Sequence, residues 1–131
     1  MSEFKLQIVT PDGVSFDGMA EQLIVRTTTG DVGILKGHTN YVAPLTIGVA
    51  RVKINGAFRE AACNGGLVRA SKEGTQIIAT TFEWADQIDV ERAQKAKEKA
   101  LKMIQEKKND MEVQVAEAKL KRALIRLNVG E

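Results

Sequence analysis

Three basic residues in the last third of the chain stand out because none of them has an acidic neighbour at helical spacing. Lys99, Arg122 and Arg126 have no Asp or Glu three or four positions away, so no carboxylate on the same helix face would neutralise them. Lys97 and Lys119 share this property. The missing partners alone therefore do not define a site.

These basic residues would form a cluster if this region folds as two antiparallel helices joined near Asn109. That pairing places Arg92 opposite Arg126 and Ala96 opposite Arg122, so several cations converge on one side. Converging cations suit a polyphosphate, because guanidinium groups present paired donors. In the alternative interpretation, which the pattern alone favours, the arginines complement one end of the helix dipole and Asp89 the other.

The residues that could support catalysis or metal binding are few. His38 is the only histidine and Cys63 the only cysteine, so the chain cannot assemble a Cys/His zinc cluster or an internal disulfide. No Gly-rich phosphate loop ending in Gly-Lys-Ser or Gly-Lys-Thr occurs. We expect a loop or interface role for His38, a buried strand position for Cys63, no catalytic residues, no metal and no required cofactor.

Charge and hydropathy exclude other classes of protein. The formal net charge is +2, and it divides into about −1 before Ile88 and about +3 from Ile88 onward, which is weaker than the basic footprint of a nucleic-acid-binding protein. No apolar run approaches the roughly 20 residues that span a bilayer, and no leader precedes Phe4. We expect no nucleic-acid partner, no direct membrane insertion and a cytoplasmic setting.

A change of composition near Trp84 divides the chain into two parts. Ten of the eleven glycines, both prolines and every aromatic ring lie at or before Trp84. Such residues punctuate and fill short strands, whereas the Ala, Lys, Glu and Leu that follow favour helices. The predicted domains are residues 1–84 and 85–131, with the segment from Glu83 to Ala93 as the joint.

The first part is predicted to be an antiparallel all-β domain, because short β-branched segments alternate with turn residues. Many short strands in a small domain favour a sandwich or flattened barrel. Predicted turns include Asn55-Gly56, Gly65-Gly66 and Glu73-Gly74. The predicted strands are 5–9, 22–26, 41–45, 49–54, 58–63, 67–70 and 76–80.

The second part is predicted to be a helical hairpin, with helices from about Asp89 to Lys107 and from about Met111 to Asn128. Lys108, Asn109 and Asp110 supply the turn. Most inward positions are alanine, which buries little apolar area, so the hairpin should be marginally stable and able to move. The predicted inward residues are Ala93, Ala96, Ala100 and Met103 on the first helix, and Val113, Ala116, Leu120, Ala123, Leu124 and Leu127 on the second.

Three segments, in order along the chain, closely resemble one known family. They are GDVGILKGH at 30–38, NGG at 64–66 and IDVERA at 88–93. Together they resemble the epsilon subunit of bacterial F-type ATP synthase, and the match extends over essentially the whole chain. Lys36 stands where the family usually has proline.

The resemblance implies a ten-stranded N-terminal β-sandwich and a C-terminal two-helix domain in a non-catalytic subunit of the central rotor stalk. The sandwich would bind the gamma subunit and the c-ring, coupling proton or sodium flow to ATP synthesis, on the cytoplasmic face of the bacterial membrane. The helices would either fold down on the sandwich or extend along gamma toward the alpha and beta subunits. Extension would inhibit ATP hydrolysis.

The resemblance also implies site residues. Asp31 and neighbouring loop residues such as His38 would contact the c-ring. ATP would bind the folded-down hairpin as a regulatory ligand, and Lys99 stands where the family has arginine, which keeps the charge without the planar fork. The residues that match this ATP site are Glu83, Ile88, Asp89, Arg92, Ala93, Lys99, Arg122 and Arg126.

Two other hypotheses stay open. In one, the chain is a purely structural assembly module with a permanently docked hairpin and solvated charges. In the other, it is a small nucleotide-hydrolysing enzyme, for which the sequence offers no nucleophile, metal site or phosphate loop.

Overall fold

The computed structural model describes residues 2–106 and 109–130, which form two compact units that meet between Trp84 and Ala85. The first unit contains only β-strands. In chain order they are β1 (Phe4–Thr10), β2 (Gly13–Ala20), β3 (Gln22–Thr27), β4 (Gly30–Ile34), β5 (Tyr41–Leu45), β6 (Gly48–Ile54), β7 (Ala57–Ser71) and β8 (Gly74–Trp84).

The strands pair in the order β2-β1-β8-β7-β5-β3-β4, and β6 pairs with both β3 and β7. Since β5 also pairs with both β3 and β7, these four strands close a ring and the sheet folds back on itself. The alternating inward side chains of all the strands then meet in one core, as in a sandwich. The fully buried members include Leu6, Ile8, Leu23, Val25, Ile34, Val52, Val68 and Ile77.

The prediction of a β-sandwich is confirmed, with eight strands rather than about ten. The predicted turn at Gly65-Gly66 is wrong, because β7 runs through both glycines and stays in register with β8 on either side of them. Two strands that the sequence analysis did not name, β2 and β4, add to the sheet. The pairing is antiparallel except between β1 and β8, which are parallel and far apart in the chain.

The second unit is helical. A short 3-10 helix, Ala85–Gln87, precedes α1 (Val90–Glu106) and α2 (Asp110–Gly130). The two α-helices pack against each other along their length, and the short connection between them makes the pair antiparallel. The predicted end of the first helix at Lys107 and the Lys108 part of the predicted turn lie outside the described residues.

The seam of the hairpin is the line along which α1 and α2 pack, and most of its fully buried residues are alanines. On α1 it contains the buried Ala93 and Ala100, with the half-buried Lys97 between them. On α2 it contains Ala116, Ala123 and Leu127, which are buried, and Val113 and Leu120, which are half-buried.

The prediction that Ala96 and Leu124 face inward is wrong, because both side chains are exposed. On α1 the seam passes through Lys97 instead of Ala96. The aliphatic stem of a lysine covers more apolar surface than an alanine methyl group does while its ammonium stays in water. Leu124 directly follows the buried Ala123, so the same helical turn carries it to the outside of the pair.

Gly66 is the glycine whose missing side chain matters most to the sandwich. Its φ is +113°, and a Cβ there would lie 2.1 Å from the Ile78 carbonyl oxygen and 2.7 Å from the Ala79 Cα. These are backbone atoms of β8 and cannot move aside without breaking the β7–β8 pairing. The glycine therefore lets two strands approach closely at this point.

We expect Gly66→Ala to destabilise the protein by roughly 2 kcal/mol more than Gly13→Ala does. Gly13 is a matched control, because its φ of +126° imposes similar backbone strain while a Cβ there would meet nothing within 4 Å. Urea unfolding followed by Trp84 fluorescence measures the difference. Equal losses of stability in the two variants would show that backbone strain alone, and not the clash with β8, makes Gly66 necessary.

Candidate functional site

Asp89 forms the N-terminal cap of α1. Its Oδ1 accepts a hydrogen bond from the Arg92 backbone N–H at 3.0 Å, and its carbonyl oxygen accepts one from the Ala93 N–H at 3.0 Å. Such a cap satisfies donors that a helix start leaves unpaired, and the carboxylate also favours the positive end of the helix dipole. The aspartate of the IDVERA segment thus has a structural role in this fold.

The basic residues singled out in the sequence lie beside the seam. Arg92 and Lys99 directly precede Ala93 and Ala100 on α1, and Arg122 and Arg126 directly precede Ala123 and Leu127 on α2. Because the helices run in opposite directions, residues directly before seam positions project to the same side of the pair in both helices. We call these four residues the cationic flank.

Three of the four residues of the cationic flank lack an ion-paired carboxylate in the part of the chain that the structure describes. Arg92 and Lys99 are exposed and Arg122 is half-buried, and within the described residues no carboxylate forms an ion pair with any of these three. Glu91 instead approaches Lys95, at 3.9 Å, where both side chains are largely exposed. An anion that reached Arg92 and Arg122 together would reduce their mutual repulsion.

Lys119 is a further member of this side that the sequence analysis did not assign to the site. It precedes the seam residue Leu120 and lies one helical turn before Arg122. The signal that could have found it was already visible, because positions 119, 122 and 126 follow helical spacing. Once the seam is known, that spacing places all three on one side of α2.

Three other residues of the predicted ATP site do not belong to the cationic flank. Ala93 is 3% exposed and packs in the seam, so it contributes close helix packing. Ile88 is half-buried and immediately precedes the cap residue. Glu83 is half-buried in β8, in register with Ala62 of β7, and it belongs to the first unit.

The two residues predicted to contact the c-ring lie in and beside β4. Asp31 pairs with Arg26 of the neighbouring strand at 2.6 Å between Oδ1 and Nε, and the hydrogen bond from this guanidinium lowers the pKa of Asp31. His38 follows β4, and its Nδ1 donates to the Thr39 carbonyl oxygen at 2.7 Å while its ring meets Tyr41 edge-on. Both side chains are therefore already held by neighbours.

The outer face of the sandwich carries an apolar strip that sequence reasoning missed. Strand register aligns Val9 of β1 with Ile78 of β8, Ile78 with Leu67 of β7, and Leu67 with Pro44 of β5. We call these four residues the outer apolar row. Ile78 is 43% exposed although it lies in a central strand, and only the strand order brings these residues together.

A polar row lies directly beside the outer apolar row. It consists of Gln7, Gln76 and Arg69 on β1, β8 and β7, and the same register continues to an apolar residue, Val42, on β5. The Gln76 amide donates to the Gln7 side-chain oxygen at 2.8 Å, and Val42 is 62% exposed. An apolar strip with a polar border on a sheet face is typical of a protein-binding surface.

Cys63 is buried, and this burial raises the pKa of its thiol to about 12. The side chain is therefore a neutral packing group at physiological pH, as predicted. In the part of the chain that the structure describes, no group of three His, Cys, Asp or Glu side chains could hold a metal ion. No described helix combines the length and the apolar character needed to cross a membrane.

The closed β-unit followed by a helical hairpin matches one class of protein in both parts. Residues 3–85 match the family model for the ATP synthase delta/epsilon chain, beta-sandwich domain, and residues 86–131 match the model for the long alpha-helix domain of the same chain. The chain therefore belongs to the delta/epsilon chain family of ATP synthases, which confirms the resemblance found in the sequence.

Individual relatives agree with this assignment. The ATP synthase epsilon chain of Ruminococcus albus is 42% identical over 131 residues, which cover 99% of this chain and 98% of the relative. That of Bacillus licheniformis is 42% identical over 130 residues, covering 99% of each chain. A chain in the Euglena gracilis mitochondrial ATP synthase shares the fold, with a TM-score of 0.84 and 21% identity, over 98% of this chain and 81% of that one.

The cap geometry predicts how two Asp89 variants will differ. Asp89→Ala should destabilise the hairpin by about 1 kcal/mol, because the Arg92 N–H loses its acceptor. Asp89→Asn should cost only a few tenths of that, because the amide oxygen still caps the helix. Hydrogen exchange of the α1 amides measures both effects, and equal losses in the two variants would show that the negative charge matters and the cap does not.

Proposed function

We propose that this chain is a non-catalytic, regulatory subunit of the ATP synthase central stalk, in which the sandwich docks on the rotor and the hairpin switches between a compact and an extended state. The observation that carries the proposal is the cationic flank beside a seam whose fully buried side chains are mostly alanine. Burial of apolar surface stabilises a fold by about 25 cal/mol per Å², and the alanines of the seam bury little of it. An anion bound to the flank would add to the stability of the compact hairpin.

The outer apolar row supports docking of the sandwich on a partner. Its residues lie on the face opposite the core, so binding would bury them without any rearrangement of the strands. The family assignment suggests the gamma subunit as the partner, with Asp31 and His38 near the c-ring. Solved structures that share the fold include a chain from the Tetrahymena thermophila ATP synthase central stalk and c-ring, with a TM-score of 0.69 and 12% identity.

ATP is the proposed ligand of the cationic flank. Arg92, Lys99, Arg122 and Arg126 come from both helices, so a triphosphate among them would link α1 to α2. Guanidinium groups bind phosphate through two parallel hydrogen bonds, and these charge-assisted bonds are stronger than neutral ones. Ile88, Asp89 and Ala93 complete the proposed site at the start of α1.

The proposed regulation is a population shift. ATP would bind only where both helices present their cations together, so it would stabilise the compact hairpin in proportion to its preference for that state. When ATP falls, the hairpin would extend along gamma toward the alpha and beta subunits and inhibit ATP hydrolysis. The subunit would act as a peripheral protein on the cytoplasmic face of the membrane, and ATP would be its regulatory ligand.

A purely structural hairpin is the second candidate function, and the Asp89 cap favours it. The carboxylate of Asp89 already has a partner within α1, and Arg92, Lys99 and Arg122 can exist as solvated charges. In this alternative the hairpin stays docked and senses no nucleotide. ATP binding by the isolated chain separates the two candidates.

Single substitutions on the flank test the ATP site. Arg92→Ala and Arg126→Ala should each weaken ATP binding about tenfold or more, because each removes a phosphate donor. Lys99→Arg should strengthen it by supplying a planar fork. Lys102→Ala is the control, since Lys102 is an exposed α1 residue that lies two positions after the seam residue Ala100, and it should change the affinity less than about twofold.

NMR titration of the full chain with ATP, and with inorganic triphosphate as a second probe, measures these affinities. Protection of the α1 and α2 amides should rise as ATP binds. Absence of any change at millimolar ATP would exclude the sensor and leave the structural module. Equal losses in Arg92→Ala, Arg126→Ala and Lys102→Ala would show diffuse electrostatic attraction in place of a site.

A single charge on the outer apolar row tests the docking surface. Ile78→Asp should weaken binding of the chain to the gamma subunit about tenfold or more, because it places a carboxylate in a surface that binding desolvates. Val14→Asp is the control, since Val14 is 62% exposed on β2 and lies outside the row. Calorimetric titration measures the affinity of each variant for the gamma subunit. An equal effect of the two substitutions would show that the docking surface lies elsewhere.

A further inference from the structure

Gly130 lies in the last described turn of α2, where a glycine is unfavourable. Its φ is not in the left-handed region that requires glycine at many helix ends. In a right-handed helical conformation, glycine is less favourable than alanine by about 1 kcal/mol. The backbone therefore does not explain why a glycine stands at this position.

The neighbours of Gly130 supply an explanation. A Cβ at this position would lie 3.0 Å from the Ile88 Cγ2, 3.0 Å from the Val90 Cγ2 and 3.3 Å from the Ile88 Cβ. These distances are shorter than ordinary carbon contacts of 3.5–4.0 Å. Both neighbours are β-branched and have few alternative rotamers, so they cannot easily make room.

The rest of this turn is also closely packed. Leu127 and Val129 are 7% and 6% exposed, and α2 also packs on the 3-10 helix Ala85–Gln87. The Ile88 backbone N–H donates to the Ala85 carbonyl oxygen at 3.4 Å. The end of α2 therefore covers the segment that leads into α1.

From this packing we infer that Gly130 is a positioning residue, whose missing side chain lets the end of α2 close on Ile88 and Val90 and so holds the Asp89 cap in place. We call this contact the clasp. Asp89 lies between the two residues that Gly130 meets, and its carboxylate and carbonyl oxygens fix the first turn of α1. Opening the clasp frees the segment on both sides of the cap.

The link between the clasp and nucleotide affinity rests on the proposed function, whereas the clasp itself does not. Arg92 is on the first turn of α1, and Arg126 lies one helical turn before Gly130. The clasp therefore joins the two helix ends that carry these arginines. A chain in which the clasp is open would present them to ATP together for a smaller fraction of the time.

Gly130→Val tests the clasp, with Asn128→Val as the matched control because Asn128 is an exposed residue of the same turn. In the full chain without nucleotide, Gly130→Val should accelerate exchange of the Arg92 and Ala93 amide hydrogens about tenfold, and Asn128→Val less than about twofold. The strand amides of the sandwich should be unchanged in both variants, which shows that the first unit stays folded.

A second pair of variants asks whether crowding is the cause. Gly130→Ala should accelerate the same exchange, and the acceleration should be smaller when Gly130→Ala is introduced into Val90→Ala, because one of the two side chains that crowd the new methyl group has then been shortened. Slower exchange in Gly130→Ala than in the original chain would mean that helix propensity outweighs crowding, and would overturn the inference. Equal exchange in Gly130→Val and Asn128→Val would overturn it as well.

ATP titration of the same variants separates the clasp from the nucleotide site. If both exist, Gly130→Val weakens ATP binding while Asn128→Val does not. Faster exchange in Gly130→Val with no ATP binding by any variant would support the clasp and exclude the sensor. ATP binding that is unchanged in Gly130→Val, despite faster exchange, would overturn the link between the clasp and the nucleotide.

Discussion

The packing of α1 against α2 through a seam whose fully buried residues are mostly alanine is the constraint on which the proposed function depends. Ala93, Ala100, Ala116 and Ala123 are 3% exposed or less, yet an alanine methyl group buries far less apolar area than a leucine would. Lys97 occupies a position on this seam where an apolar residue would add stability. This packing contributes little stability, so we expect small additional contacts such as the Asp89 cap and the proposed clasp to change the fraction of molecules in which the hairpin is closed.

The β-unit, in contrast to the hairpin, is firmly held together. Four of its strands close a ring, β7 and β8 are its longest strands, and their close approach at Gly66 leaves no space for a side chain. A firm unit and a weakly held one in the same chain suit a division of roles, because local opening begins where buried apolar contacts are fewest. In the proposed function, the sandwich would stay bound through the outer apolar row while the hairpin changes state.

Composition and periodicity were enough to predict both units and the helical pair, because glycine, proline and alanine preferences act locally. They failed at positions where tertiary packing determines which side chain is buried or whether the chain turns. Ala96 and Lys97 both fall near the seam, and only the partner helix selects the lysine. Gly65 and Gly66 suggested a turn, yet β8 holds them within one strand. The outer apolar row was not predictable, because its residues come from four strands whose order the local sequence does not encode.

The rate of ATP hydrolysis by the assembled synthase tests the proposed role of the hairpin most directly. Complexes containing the full chain should be compared with complexes containing residues 1–87 alone, at low and at millimolar ATP. Removal of the hairpin should raise hydrolysis at low ATP, and the difference should shrink as ATP rises, because ATP favours the compact state. Equal rates for the two complexes at every ATP concentration would contradict an inhibitory hairpin.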